Sequence, residues 1–311
     1  MGFARNLNCM GDYYPLGFPL RLWSNSHQVM DAAAASWSDF PAAFSTRPLE
    51  IQAVVESSLE TASPTPPDYQ GREHLFLIMG GQDSAACDHS QGFAVCRLRD
   101  STVRHQAFTS YYYLEAIALH LLTQRYLTPV HAACVTRHGA GVLLCGDSGA
   151  GKTSLAYACA KRQWCYVSDN ESWLLREHAG RVALGNPRRI RFRESAPELF
   201  PELRTQQPFL FANGKMSLTL EMSGRPEFST AFQADISHLV FLDRNGHTGI
   251  DKVTKEEAFQ RLLSGVPAYS SPVRREHEAS LRRLVEAETV CLSYQSLDAG
   301  VDLLDQLVAR S

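Results

Sequence analysis

"CGDSGAGKTS", Cys145 to Ser154, is the stretch from which the rest of the chain is read. Gly146, Gly151, Lys152 and Thr153 match GxxxxGK[ST] at every fixed position. Small and apolar residues from Gly139 to Leu144 lead into it. Lys152 to Arg162 follows, with Leu155, Ala156 and Cys159 on one helical face. Strand, glycine turn and helix in that order make a phosphate-binding loop. Glycines admit positive φ, so that consecutive N–H groups can point inward at an anion. The helix behind adds its first N–H groups and its dipole. Lys152 would reach the β- and γ-phosphates of a nucleotide, and the Thr153 hydroxyl would meet Mg²⁺. Asp147, Ser148, Gly149, Ala150 and Ser154 complete the contact set. With no NKxD-type guanine reader in the chain, ATP is favoured over GTP. The competing account is a glycine-rich turn that does no more than start a helix.

Outward from the loop, the pattern alternates between strands and helices. "VHAACVTRHGAGVLLCG" reads as two short strands around a turn at Arg137 to Gly141, and "WCYVSDN" as the strand after the loop helix. "RRIRFR", "KMSLTLEM", "HLVFLD" and "TVCLSY" read as further strands. Helices are expected at Lys255 to Ser264, at Val273 to Ala287 and over the closing "DAGVDLLDQLVARS". Upstream, "SHQVMDAAAASWSDF" reads as a helix, and "PLEIQAVVE" and "HLFLIMGG" as strands. "GFAVCRLRDSTVRHQAF" reads as a hairpin turning at Arg99-Asp100, and "SYYYLEAIALHLLTQRYL" as a buried helix. Glu60 to Glu73, with three prolines in four residues, reads as a surface loop. The expected division is residues 1–127, a smaller α+β part, and residues 128–311, a mixed α/β nucleotide domain.

Bulk properties narrow the function classes. Of 311 residues, 44% are hydrophobic and 20% charged, a globular composition with room for one large or two ordinary domains. Thirty basic against thirty-three acidic residues give no general pull toward nucleic acid or an anionic membrane. Eight cysteines without CxxC spacing read as reduced small hydrophobes, not as a zinc site or a disulfide framework. No apolar run resembles a secretory signal or a membrane span, and Asn6 stands where a myristoylation motif after Met1-Gly2 needs Ser or Thr. A cytoplasmic location is expected.

A nucleotide site of this kind is expected to have a second carboxylate at the end of an apolar strand, to hold the Mg²⁺ shell. Two candidates compete. Asp243 closes the apolar "HLVFLD" in the usual position for a metal-binding acid, and Asp169 closes "WCYVSD", seventeen residues after Lys152. The segment "VHAACVTRHGAGVLLCGDSGAGKTSLAYACAKRQWCYVSDN", Val130 to Asn170, resembles the catalytic domain of HPr kinase/phosphorylase and its related bacterial serine and peptide kinases. The likeness runs from about Pro129 to Phe192. It implies an α/β fold of the HPr kinase/PEP carboxykinase-like type, with ATP and Mg²⁺ as cofactors. His131 falls at the family's histidine and Asp169 at its first aspartate, the general base toward a serine hydroxyl. Two departures stand out: Asn170 replaces the second aspartate of the family pair, and the glycine- and arginine-rich C-terminal signature is missing. The N-terminal "YYPLGFPLRLWSNSHQVMDAAAASW" looks like that of a divergent subgroup of these kinase-like proteins.

"NPRRIRFRE" sets Arg189, Arg191 and Arg193 at period two, so that on a strand the three share one face. Arg189 and Arg191 are expected at the nucleotide, with Glu194 as a further metal candidate; a charged, solvated strand edge is the plain alternative. Three functional readings stay open here. One is a kinase acting on a serine-type hydroxyl of a protein, peptide or small molecule, with catalytic Asp169, His131 and Lys152 and metal on Thr153, Asp169 and Asp243. A second is a nucleotide-binding module weakened by Asn170. A third is an ATPase using Asp243 to place water. The family's tendency to form rings implies a homo-oligomer. Neither nucleic acid nor membrane is expected as a partner.

Overall fold

The computed structural model describes residues 7–58, 63–177, 180–212, 214–243, 247–267 and 270–310. Met1-Gly2, the start of the proline-rich loop and the turn "RNG" after Asp243 lie outside them. The chain forms two compact units, Met1–Arg125 with Leu210–Lys215, and Tyr126–Phe209 with Met216–Ser311. Its architecture is mixed α/β with several sheets.

In the first unit, β1 (Cys9–Tyr13), β2 (Leu20–Ser24), β3 (Leu49–Glu56), β4 (Asp68–Arg72), β5 (Leu75–Gly80), β6 (Asp83–Asp88) and β7 (Phe93–Arg99) form one sheet. Its order is β1-β2-β3-β7-β6-β5-β4. Helix α1 (His27–Trp37) connects the parallel pair β2 and β3 and buries Val29, Ala32, Ala33 and Trp37. Two readings need correction. Asp68–Arg72 is an edge strand, exposed along its whole length, and not loop. No residue of it is fully buried, so no apolar alternation could announce it. The chain also makes no hairpin at Arg99-Asp100. The Asp83 carboxylate accepts the Arg99 N–H at 2.7 Å and the Thr102 hydroxyl at 2.6 Å, and this turns the chain into the short helix α2 (Asp100–Val103). Then α3 (Gln106–Thr109), a π-helical turn at Ser110–Glu115 and α4 (Ala116–Arg125) run on as the expected buried helix.

The second unit is built on β8 (Leu127–Val130), β9 (Ala132–Arg137), β10 (Ala140–Cys145), β11 (Cys165–Ser168), β12 (Ser172–Leu175) and β13 (Val182–Leu184). After β13 come β14 (Arg189–Arg193), the short α6 (Ala196–Leu199), β16 (Met216–Glu221) and β17 (Ser229–Thr230); β15 (Phe209–Leu210) falls where the chain passes into the Leu210–Lys215 segment of the first unit. The long β18 (Gln233–Asp243), β19 (Gly249–Lys252) and β20 (Glu288–Ser293) complete the strands, and α5 (Lys152–Lys161), α7 (Lys255–Ser264), α8 (Ser271–Leu284) and α9 (Leu297–Val308) the helices.

The main sheet places β11, β9, β10, β18 and β20 side by side. Strand β10 is antiparallel to β9, which is antiparallel to β11; β18 is parallel to β10 and β20 to β18. So β10, β11, β18 and β20 all end on one edge, the side where open α/β sheets bind ligands. The apolar run of β10 feeds both faces. Val142 and Leu144 pack with α5 and α9, Leu143 and Cys145 with α7 and α8. Burial on both faces explains why this strand reads as continuous hydrophobe. A smaller antiparallel pair, β14 against β16, lays Ile190, Phe192, Leu218 and Leu220 on Tyr157 and Ala160 of α5. All eight cysteines are free, six of them buried. No helix among the described residues is long and apolar enough to cross a membrane.

Candidate functional site

The loop Gly146–Gly151 leaves the end of β10 and closes on α5. Gly151, at the helix N-cap, has φ +100° and no side chain to cap the first N–H groups of α5. Those groups remain open to an anion. At Gly146 a Cβ would stand 2.9 Å from the Cβ of Ala150, so only glycine lets the loop fold back this tightly. Ala150 N–H closes the turn on the Asp147 carbonyl at 3.1 Å.

Lys152 is 5% exposed, and its ammonium folds onto the loop. Nζ donates to the Gly146 carbonyl at 2.7 Å and to the Asp147 carbonyl at 3.2 Å. It also lies 3.0 Å from His131 Nε2. With Lys152 charged, Nε2 is the acceptor and the imidazole proton sits on Nδ1. Burial, then the Lys152 charge, holds His131 below its ordinary value; a hydrogen bond to the Asn170 main chain and the charge of Asp147 oppose that. Burial also lowers Lys152, and the positive charge of Arg193 adds to it. The sheet explains why His131 is here. Ala132 pairs Cys145, so the residue before β9 stands opposite the first glycine of the loop.

Asp169 follows β11 on the far side of β9. Its main-chain carbonyl receives the Thr153 hydroxyl at 3.5 Å, a long contact, and its Oδ2 accepts the Arg191 N–H at 2.8 Å. Burial raises its carboxyl above the ordinary range, against the pull of the Arg191 N–H and charge and the nearby main-chain N–H groups. Asp243 ends β18, in register with Ser293 of β20. The carbonyl of the preceding Leu242 would lie 3.4 Å from a Cβ on Gly146, so Asp243 borders the start of the loop. Among the described residues no group of three or more His, Cys, Asp or Glu side chains is placed to hold a metal ion alone. A magnesium ion here would need phosphate oxygens in its shell, with the Thr153 hydroxyl and one acid as protein ligands; the open α5 terminus suits that arrangement.

The arginine stripe forms as read, with Arg189, Arg191 and Arg193 exposed and Ile190 and Phe192 buried. Its members do different things. Arg189 pairs with Glu221 at 2.9 Å. Four residues on, about 13 Å along a strand, Arg193 Nη2 donates to Ser148 Oγ at 2.9 Å. Arg191 meets Asp169 through its main chain. Arg189 and Arg191 are the two expected at the nucleotide; the structure puts Arg193 on the loop and Arg189 on a glutamate. Nothing in the sequence marks which arginine of an even-spaced stripe faces the loop, since that depends on where β14 docks on α5. Glu194 is exposed past the end of β14, and Ser154 lies in the first turn of α5.

His131, Lys152, Thr153, Asp169 and Arg193 thus meet at one edge of the second unit, with Asp243 beside the loop. No family model matches the chain, and no curated protein matches it. Among solved structures, the HPr(Ser) kinase/phosphatase from Coxiella burnetii aligns over 59% of this chain and 97% of its own, with 13% identity and a TM-score of 0.31. That likeness is distant, and it assigns no residue a role.

Proposed function

We propose that the chain is an ATP- and Mg²⁺-dependent kinase of the HPr kinase-like P-loop type, transferring the γ-phosphate to a serine-type hydroxyl of a protein, peptide or small molecule. One observation carries this reading: His131 meets Lys152 beneath the loop, and the main chain of Asp169 receives the Thr153 hydroxyl in the first turn of α5, so three segments of the chain come together at the helix N-terminus. MgATP would supply the phosphoryl group. Lys152 neutralises charge on the β- and γ-phosphates, and the N–H groups of α5 hold them in place. Thr153 and an acid, Asp169 or Asp243, would hold the metal, which would neutralise phosphate charge there. Asp169 takes the proton of the acceptor hydroxyl as its oxygen bonds to phosphorus and the bond to the leaving ADP oxygen breaks. A carboxyl held above its ordinary range is a better base for this step than a free aspartate. His131 steadies Lys152 through Nε2 and so acts as a positioning residue.

A second reading has its own support. Asn170 stands where the resembled family carries an acid, and one Asp169 oxygen is already engaged by Arg191. A nucleotide-binding module with little turnover would fit both facts.

Transfer of labelled γ-phosphate separates the readings. Incubated with Mg²⁺ and serine-containing peptides or small alcohols, a kinase labels the acceptor. Asp169→Asn then abolishes labelling and leaves ATP bound. A binding module shows affinity without transfer. An ATPase releases phosphate without any acceptor and loses that activity in Asp243→Asn.

A further inference from the structure

Arg193 does more than decorate a strand edge. It closes β14, whose Ile190 and Phe192 are locked into the core with Tyr157 of α5. The Phe192 and Tyr157 rings meet edge-on, centroids 5.1 Å apart. Arg193 is therefore carried on a rigid strand tied to the same helix that carries Lys152. Its guanidinium reaches the middle of the loop. Nη2 donates to Ser148 Oγ, and Nη1 lies 3.7 Å from where a Cβ on Gly149 would stand. Gly149 has no side chain to screen the loop from it.

Its present partner is a weak one. A hydroxyl is a neutral acceptor on an exposed loop, whereas a phosphate oxygen makes a charge-assisted bond about twice as strong, and a guanidinium can meet it in bidentate fashion. The Lys152 ammonium and this guanidinium bring two positive charges to one loop, where the charge of Asp147 already acts on Lys152; a nucleotide's terminal phosphates would add further negative charge between them.

We propose that Arg193 is a guanidinium supplied in cis to the terminal phosphate of the bound nucleotide, and that through it the site distinguishes a triphosphate from a diphosphate. The proposal rests on the nucleotide-binding reading above. In P-loop enzymes a guanidinium so placed neutralises charge on the transferring group and is worth about a thousandfold or more in rate.

The test measures ATP and ADP affinity by calorimetry, and γ-phosphate transfer, for the wild-type chain, Arg193→Ala, Arg193→Lys and Lys152→Ala. Arg225→Ala, which removes an exposed arginine paired with Glu227, controls for net charge. Arg193→Ala should bind ATP about ten- to a hundredfold more weakly, as expected for loss of a charge-assisted bond, and ADP almost unchanged. Arg193→Lys should recover part of the ATP affinity and little of the rate. Melting temperature checks that each variant folds. Wild-type selectivity and rate in Arg193→Ala, with both nucleotides lost in Lys152→Ala, overturn the role of Arg193 and leave the nucleotide site standing. Equal ATP and ADP affinity in the wild-type chain also overturns it. Unchanged nucleotide behaviour in Lys152→Ala overturns the binding reading itself, and the proposal with it.

Discussion

His277 ties acid stability to the strand that leads into the candidate site. It is fully buried on α8, its Nδ1 2.9 Å from Thr128 Oγ1 on β8, three residues before His131. Burial first, and the Arg176 charge second, push its pKa from 6.5 down to about 4. In the unfolded chain the imidazole titrates near its ordinary value. Between these limits the unfolded state binds a proton that the native state refuses, so stability falls as the pH falls from about 6.5, and the loss is complete below about 4. At about 1.4 kcal/mol per pH unit the gap amounts to about 3 kcal/mol. His277→Asn keeps an amide near the place of Nδ1 for the Thr128 hydroxyl and cannot titrate. Urea unfolding followed by Trp164 and Trp173 fluorescence, from about pH 7 to about pH 4, gives the two curves. The wild-type chain should lose about 3 kcal/mol more than the variant over that range. His120, His131 and His238, also held low by burial, are common to both proteins and cancel in the difference. Parallel pH curves would refute the assignment of acid lability to His277.

Gly185→Ala should destabilise the second unit, because its Cβ would stand 2.3 Å from the Val167 carbonyl oxygen. Backbone meets backbone there and no rotamer can yield, so a cost of about 1–3 kcal/mol and a melting point several degrees lower are expected; an unchanged melting point would show the contact to be absent. Val167 lies two residues before Asp169, so transfer should fall as well. The acid limb of transfer should lie above that of a free aspartate, since burial raises the Asp169 carboxyl against the pull of the Arg191 N–H. Activity requiring ionised Asp169 and neutral His131 is lost as the pH drops and either group takes up a proton. In His131→Asn the limb should follow Asp169 alone, and a limb at the position of a free aspartate in that variant would refute the role of Asp169.

Much of this was legible in the residues. The strand before the loop, the helix after it and the alternation of "RIRFR" follow from local rules, because a strand buried on both faces must be apolar throughout and a half-buried one must alternate. The edge strand Asp68–Arg72 and the helical turn at Asp100 were not, since neither is set by local preference. One is completed by its partner β5, and the other by the distant carboxylate of Asp83.

By itself, the sequence determined the loop, its lysine and the candidate acids, because a glycine turn between strand and helix is specified by φ and spacing within ten residues. Only the tertiary structure decided that His131 pairs with Lys152, that Asp169 meets the Arg191 N–H, and that Arg193 reaches Ser148 while Arg189 does not. Strand order and the docking of a small sheet on α5 create those contacts between residues up to 45 positions apart, and no local pattern encodes which side chain a neighbouring strand will present.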